Sequence, residues 1–214
     1  MLFRSIPAGV SGTDISLYVL MSSSKSLTAH FEASSEEQPV QPVAIVGEDA
    51  PELSGAVITA VENPYLSPTG DVYFTATVSG SDVTSGVNDK VLYHYALDGA
   101  KHMIARESVT TPSGQSNKLQ TPFKVFGHYQ GSGIIFQSRL SGSGQNGLWH
   151  YDGSTVRPLV YGGGTNVESF PVASVDQNEL VVNAQGSLGT SVRLGNAHAY
   201  EDGALLAEIG RAHV

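Results

Sequence analysis

Gly70-Asp71-Val72-Tyr73-Phe74-Thr75-Ala76-Thr77-Val78-Ser79-Gly80-Ser81 reads as a turn, an apolar strand and a Ser-Gly-Ser stop, and it leads into Leu92-Tyr93-His94-Tyr95 and Asp98-Gly99. The same order returns as Gly133-Ile134-Ile135-Phe136-Gln137-Ser138-Arg139-Leu140-Ser141-Gly142-Ser143, then Leu148-Trp149-His150-Tyr151-Asp152-Gly153. A weaker third copy is expected at Asn178-Glu179-Leu180-Val181-Val182-Asn183-Ala184, followed by Tyr200-Glu201-Asp202-Gly203. In this alignment Gly70 and Asn178 share the turn, where both residue types tolerate positive φ. Phe74 and Phe136 share a strand position. Tyr95, Tyr151 and Tyr200 precede the Asp-Gly pairs, and Trp149 marks the middle copy.

Working outward, apolar residues alternate or cluster in short Val/Ile/Tyr/Phe-rich runs bounded by Gly, Asn, Asp and Ser, which argues for an all-β chain. Strands are expected at Ile15 to Leu20, Leu27 to Phe31, Val43 to Val46, Val72 to Val78, Val91 to Tyr95, His102 to Ala105, Ile134 to Leu140, Leu148 to Tyr151, Val156 to Val160, Leu180 to Ala184, Ala197 to Tyr200 and Leu205 to Ala207. Val43-Ala44-Ile45 with Pro51 also matches Ile104-Ala105-Arg106 with Pro112. Units of roughly 45 to 62 residues with about four strands each are the size of propeller blades. The expected architecture is a partial β-propeller-like array of about three to four antiparallel four-stranded blades.

The ends read differently. Met1-Leu2-Phe3-Arg4-Ser5 can be written in codons whose reverse complement, one base out of phase, encodes Ile209-Gly210-Arg211-Ala212 at the other end. Translated sequencing adapter on a truncated metagenomic fragment would leave this reciprocity, so both ends are set aside from the fold. The expected organisation is then residues 1–5 and 209–214 adapter-derived, 6–61 an incomplete first blade and linker, 62–118 and 119–166 blades, and 167–208 an incomplete blade.

Eleven basic residues oppose twenty acidic ones, a net charge of −9 with no basic run, which argues against a nucleic-acid or anionic-membrane partner. No apolar stretch approaches the roughly 18 residues of a membrane helix, so no membrane insertion is expected from this segment. Cysteine is absent, which removes disulfide and thiolate chemistry.

Val43-Ala44-Ile45-Val46-Gly47-Glu48-Asp49-Ala50-Pro51, Asn63-Pro64-Tyr65-Leu66-Ser67-Pro68-Thr69-Gly70-Asp71-Val72-Tyr73-Phe74 and Gly147-Leu148-Trp149-His150-Tyr151-Asp152-Gly153 resemble the bacterial choice-of-anchor tandem-repeat proteins with NxxGxxxAF-type repeats. That resemblance covers residues 40 to 208 and implies a secreted or cell-surface, propeller-like protein without an established activity.

Chemistry-bearing residues have structural readings that compete with functional ones. His94 and His150 recur at equivalent positions, but equivalent positions in successive blades lie apart, which disfavours one shared metal. Asp98-Gly99, Asp152-Gly153 and Asp202-Gly203 carry the strongest short hairpin signal. Acidic loops at Glu48-Asp49, Asp82, Asp89 and Glu201-Asp202 lack calcium-loop spacing. Arg106, Arg139, Arg157 and Arg193 would form an anion site only if the fold gathered them. No GxSxG, phosphate-loop or dinucleotide fingerprint occurs, so no catalytic residue, metal or cofactor is assigned. The expected function is a non-catalytic secreted or cell-surface repeat scaffold with a binding or structural role, its partner an unidentified extracellular glycan or protein. The alternative is a fragment of a secreted propeller hydrolase or lyase acting on glycans.

Overall fold

The computed structural model describes residues 42–129, 133–142, 144, 146–167, 170–176, 180–183, 187–195 and 203–207. The strands expected at Ile15 to Leu20, Leu27 to Phe31 and Ala197 to Tyr200 lie outside these residues. All elements described are antiparallel strands. The first sheet contains β1 (Ala56–Leu66), β2 (Val72–Gly80), β3 (Lys90–Tyr95) and β4 (Lys101–Arg106), in that order. The second contains β5 (Leu119–His128), β6 (Ile134–Leu140), β7 (Asn146–Tyr151) and β8 (Val156–Tyr161), also in chain order. The third is built on β12 (Leu188–Leu194), flanked by β10 (Phe170–Val175), β11 (Val181–Val182) and β13 (Gly203–Ala207), with the short β9 (Asn166–Val167) pairing β10.

Register makes the repeat explicit. Leu66 pairs Val72, His128 pairs Ile134 and Val182 pairs Leu188, each across a loop closed by one backbone bond. Those bonds run from Ser67 N to Asp71 O, Tyr129 N to Gly133 O and Asn183 N to Ser187 O. At the far end Ile58 pairs Val78, Leu119 pairs Leu140 and Val172 pairs Leu194, with Ile58, Leu119 and Val172 all buried. Between these anchors the first strand of each sheet is bulged against its straighter partner. A further bulge falls at Leu92/Tyr93 in the first sheet and at Leu148/Trp149 in the second, the same repeat position.

The sheets stack in series because their strands are apolar on both faces. Phe74, Ala76, Val78, Val91 and Tyr93 pack on a segment carrying Val43, Ala44, Ala50 and Leu53. The opposite face, with Tyr73, Leu92, Ile104 and Ala105, joins Leu119, Phe136, Trp149 and Tyr151 of the second sheet. Ile135, Leu148 and Val160 then meet Val172, Leu188 and Val192 of the third. Alternation along one strand therefore feeds two interfaces, which gives the middle sheet two dry faces.

Several expectations are corrected. Val43 to Val46 is not a strand: Gly47 turns the chain at φ 96°, and the segment bonds the edge of β1 through Gly47 N to Ile58 O and Ile58 N to Glu48 O. Its match to Ile104-Ala105-Arg106 therefore fails, since those residues lie in β4. A boundary at residue 62 would cut β1, whose first residue is Ala56. The third copy is displaced as well, because Leu180 to Val182 completes the first-strand edge and Leu188–Leu194 is the counterpart of β2 and β6. Gly203 opens β13 opposite Arg193, so it does not occupy the turn position of Gly99 and Gly153.

Candidate functional site

One rung of the first sheet holds four rings in succession: Tyr65 pairs Tyr73, Tyr73 pairs His94, and His94 pairs His102. Side chains on one rung point to the same face, and this face meets the second sheet. The His94 ring lies flat on Tyr73, with centroids 4.6 Å apart and planes 8° from parallel. His128, at the end of β5, approaches the same tyrosine edge-on at 6.4 Å.

The neighbouring turn brings a carboxylate to this face. Asp71 accepts from Thr69 Oγ1 at 2.7 Å and from Leu97 N at 3.1 Å, tying the β1–β2 turn to the β3–β4 turn. Burial raises the Asp71 pKa, but the Thr69 hydroxyl, the Leu97 amide and the His94 imidazole outweigh it, so the net shift is downward. His94 Nε2 stands 3.5 Å from Asp71 Oδ1, an ion-pair separation that leaves this nitrogen without a hydrogen-bond partner. His128 Nε2 is also buried and unbonded. The Tyr73 phenol is pushed well above its ordinary range, first by burial and then by the Asp71 carboxylate. This cluster offers imidazole nitrogens beside a phenol that resists ionisation. Among the described residues no three His, Cys, Asp or Glu side chains could hold a metal ion.

The matching rung of the second sheet is Gly127, Ile135, His150 and Arg157. Arg157 Nε donates to His150 Nδ1 at 3.0 Å, and the buried His150 ring packs 4.7 Å from Tyr129. The two histidines that recur in the sequence do occupy equivalent positions, but His94 lies on the face toward the second sheet and His150 on the face toward the third. They do not converge.

Other residues singled out in the sequence serve the framework. Phe74 and Phe136 are fully buried, and Tyr95 carries Lys101 Nζ at 5.8 Å from its ring centre. Tyr151 Oη donates to Gly153 O, and Trp149 Nε1 to Ser138 O. Gly70, Gly99 and Gly153 have φ of 93°, 90° and 101° in their turns. Asp98 Oδ1 accepts from Ala100 N. Asn178, Tyr200 and Asp202 lie outside the described residues. The arginines are not gathered: Arg106 bonds Asn88 O and Asp82 O, Arg157 bonds His150, and Arg139 bonds Asn146.

Asp152 Oδ1 accepts three hydrogen bonds within its turn. The Thr155 amide, the Ser154 amide and the Ser154 hydroxyl lower its pKa from 3.8 to about 2. A lowered folded-state pKa stabilises above the unfolded value and loses that contribution as pH falls through about 2. Asp152→Ala is therefore expected to lower the melting temperature at neutral pH, with the gap to the parent closing between about pH 4 and pH 2. A gap independent of pH would assign the loss to the turn's shape.

One functional-looking feature escaped sequence reading. Ser67 Oγ accepts from Asp71 N at 2.9 Å, and Asn183 Oδ1 accepts from Ser187 N at 2.8 Å, the same loop closure in the first and third sheets. Its signal was present, since Ser67-Pro68-Thr69-Gly70 and Asn183-Ala184-Gln185-Gly186 share a Ser/Asn-x-x-Gly spacing.

No curated protein and no solved structure matches the chain. The segment 16–168 matches the model of a family of unknown function, DUF7453, and the chain belongs to that family.

Proposed function

We propose that the chain is a non-catalytic repeat scaffold of the cell exterior or cell surface, a partial β-propeller-like array whose loops bind a glycan or protein. One observation carries this reading: four strand side-chain donors are spent on backbone carbonyls of the chain itself. Thr75 Oγ1 donates to Phe123 O, Ser138 Oγ to Gln120 O, Tyr93 Oη to Pro51 O and Trp149 Nε1 to Ser138 O, each locking a strand or loop to its neighbour. The resemblance to choice-of-anchor repeat proteins, which have no established activity, supports the same location.

A second reading, a hydrolase or lyase acting on glycans, draws on the Asp71, Tyr73, His94 and His128 cluster. A panel of neutral and acidic polysaccharides decides between them, assayed for new reducing ends and for unsaturated products. The scaffold reading expects no turnover of any polymer. Turnover that disappears in both Tyr73→Phe and His94→Gln would establish the enzyme instead.

A further inference from the structure

The rung next to the buried Val78, Leu140 and Leu194 carries a cation in each of the three sheets. In the first sheet Thr77 pairs Lys90, whose Nζ donates to Thr77 Oγ1 at 2.7 Å. In the second sheet the matching pair is Arg139 and Asn146, and Arg139 Nε donates to Asn146 Oδ1 at 3.3 Å. The cation has moved to the neighbouring strand and its polar partner has moved the other way, so the charge stays on the same rung. In the third sheet Arg193 stands at the position of Arg139, opposite Gly203. Interior packing does not require this, because Arg139 and Arg193 are both exposed. Stacked sheets lie about 10 Å apart, so the rung places a basic side chain at a regular interval along one rim.

Arg139 has the environment of a binding group. It borders a groove of ≈390 Å³ lined by Gln120, Thr121, Leu140, Ser141, Gly142 and Gly144. Lys90 is neutralised by Glu62 at 3.1 Å, whereas no carboxylate among the described residues forms an ion pair with Arg139. Its single described hydrogen bond uses Nε, which leaves the two terminal nitrogens for a ligand. A guanidinium fork matches a carboxylate. Gln120 Nε2 donates to Ser108 Oγ, Thr121 Oγ1 donates to Glu107 Oε1 and Ser141 Oγ accepts from Lys118 N, which leaves the Ser141 hydroxyl proton and the Thr121 oxygen lone pair for sugar hydroxyls.

We propose that this groove binds an acidic polysaccharide, with a uronate carboxylate on Arg139 and the neighbouring sugar along the groove beside Gln120 and Ser141. The inference extends the scaffold reading by naming a ligand class, and it holds whether or not the polymer is cleaved. In a chain of net charge −9, an anionic polymer is repelled except beside a cation that no carboxylate pairs, so loss of Arg139 has a large effect.

Titration of the full chain with polygalacturonate, and with dextran as the neutral control, tests this. Arg139→Ala is expected to weaken polygalacturonate binding about tenfold or more, and Arg139→Lys to weaken it less, since a point charge keeps attraction but loses the fork. Lys101→Ala, which removes a cation paired with Glu48 elsewhere, is expected to bind like the parent. Binding of the parent is expected to fall as salt is raised. Equal affinity of Arg139→Ala and parent, no polygalacturonate binding by the parent, or equal binding of dextran would each overturn the proposal. Turnover of a bound polymer would overturn the scaffold reading alone.

Discussion

Trp149→Ala is expected to destabilise the chain by about 3 to 5 kcal/mol, the ordinary range for emptying a large buried aromatic site. The ring is fully buried and sits where the first two sheets meet, among Leu119, Phe136, Leu140 and Tyr151. It stacks on Tyr161 with centroids 5.6 Å apart, and Gly147 lies so close that an added Cβ would come within 3.0 Å of the indole. The site cannot collapse easily, because strands on either side are fixed by their ladders. Truncation also removes the bond from Nε1 to Ser138 O, leaving a buried carbonyl short of a donor. Trp149→Phe refills part of the volume but not that bond, so its loss should be smaller. Denaturant midpoints for parent, Trp149→Phe and Trp149→Ala should fall in that order, and equal midpoints would reject the packing account.

The strands legible in the sequence were those whose chemistry is local. Val72 to Val78 and Ile134 to Leu140 announce themselves through β-branched and aromatic residues between glycine-bearing turns, and both form at those positions. Asp98-Gly99 and Asp152-Gly153 likewise dictate their turns through positive φ. The first strand of each sheet was not legible. β1 carries Glu62, Asn63 and Pro64 in its interior, and β5 carries Thr121, Pro122 and Lys124. Bulges accommodate those residues by breaking the two-residue period that makes a strand recognisable. The third copy was misplaced for a related reason. Val181 and Val182 look like a strand centre, but they form the short end of a bulged edge, while β12 reads weakly because Gly189, Thr190 and Ser191 interrupt its apolar pattern.

The candidate sites were less legible still, since they arise from pairing across strands. Tyr65, Tyr73, His94 and His102 are scattered in the chain and become a row only through three separate registers. The Lys90-to-Arg139 exchange is invisible to positional alignment, because the charge changes strand while keeping its rung. Sequence identity is tested along the chain, whereas this conservation of charge runs across it.

Gly133→Ala is expected to be comparably severe, at about 2 to 6 kcal/mol, by two additive routes. Gly133 has φ of 70°, a left-handed conformation that strains an alanine. An ideal Cβ there would also overlap Tyr151 O and lie 2.8 Å from Tyr151 C. Both obstacles are backbone, so no rotamer change can relieve the overlap. The strand end must move, and with it the pairing of Ile134 with Tyr151 and the loop bond from Tyr129 N to Gly133 O. Gly153→Ala separates the two routes. That glycine has φ of 101° and nothing within 4 Å of its ideal Cβ, so alanine meets strain alone and should cost about 1 to 3 kcal/mol. Denaturant titration of both variants measures the difference, and Gly133→Ala should be the worse. Equal losses would mean that the close approach of Gly133 to the Tyr151 backbone contributes nothing, and that positive φ alone accounts for both glycines.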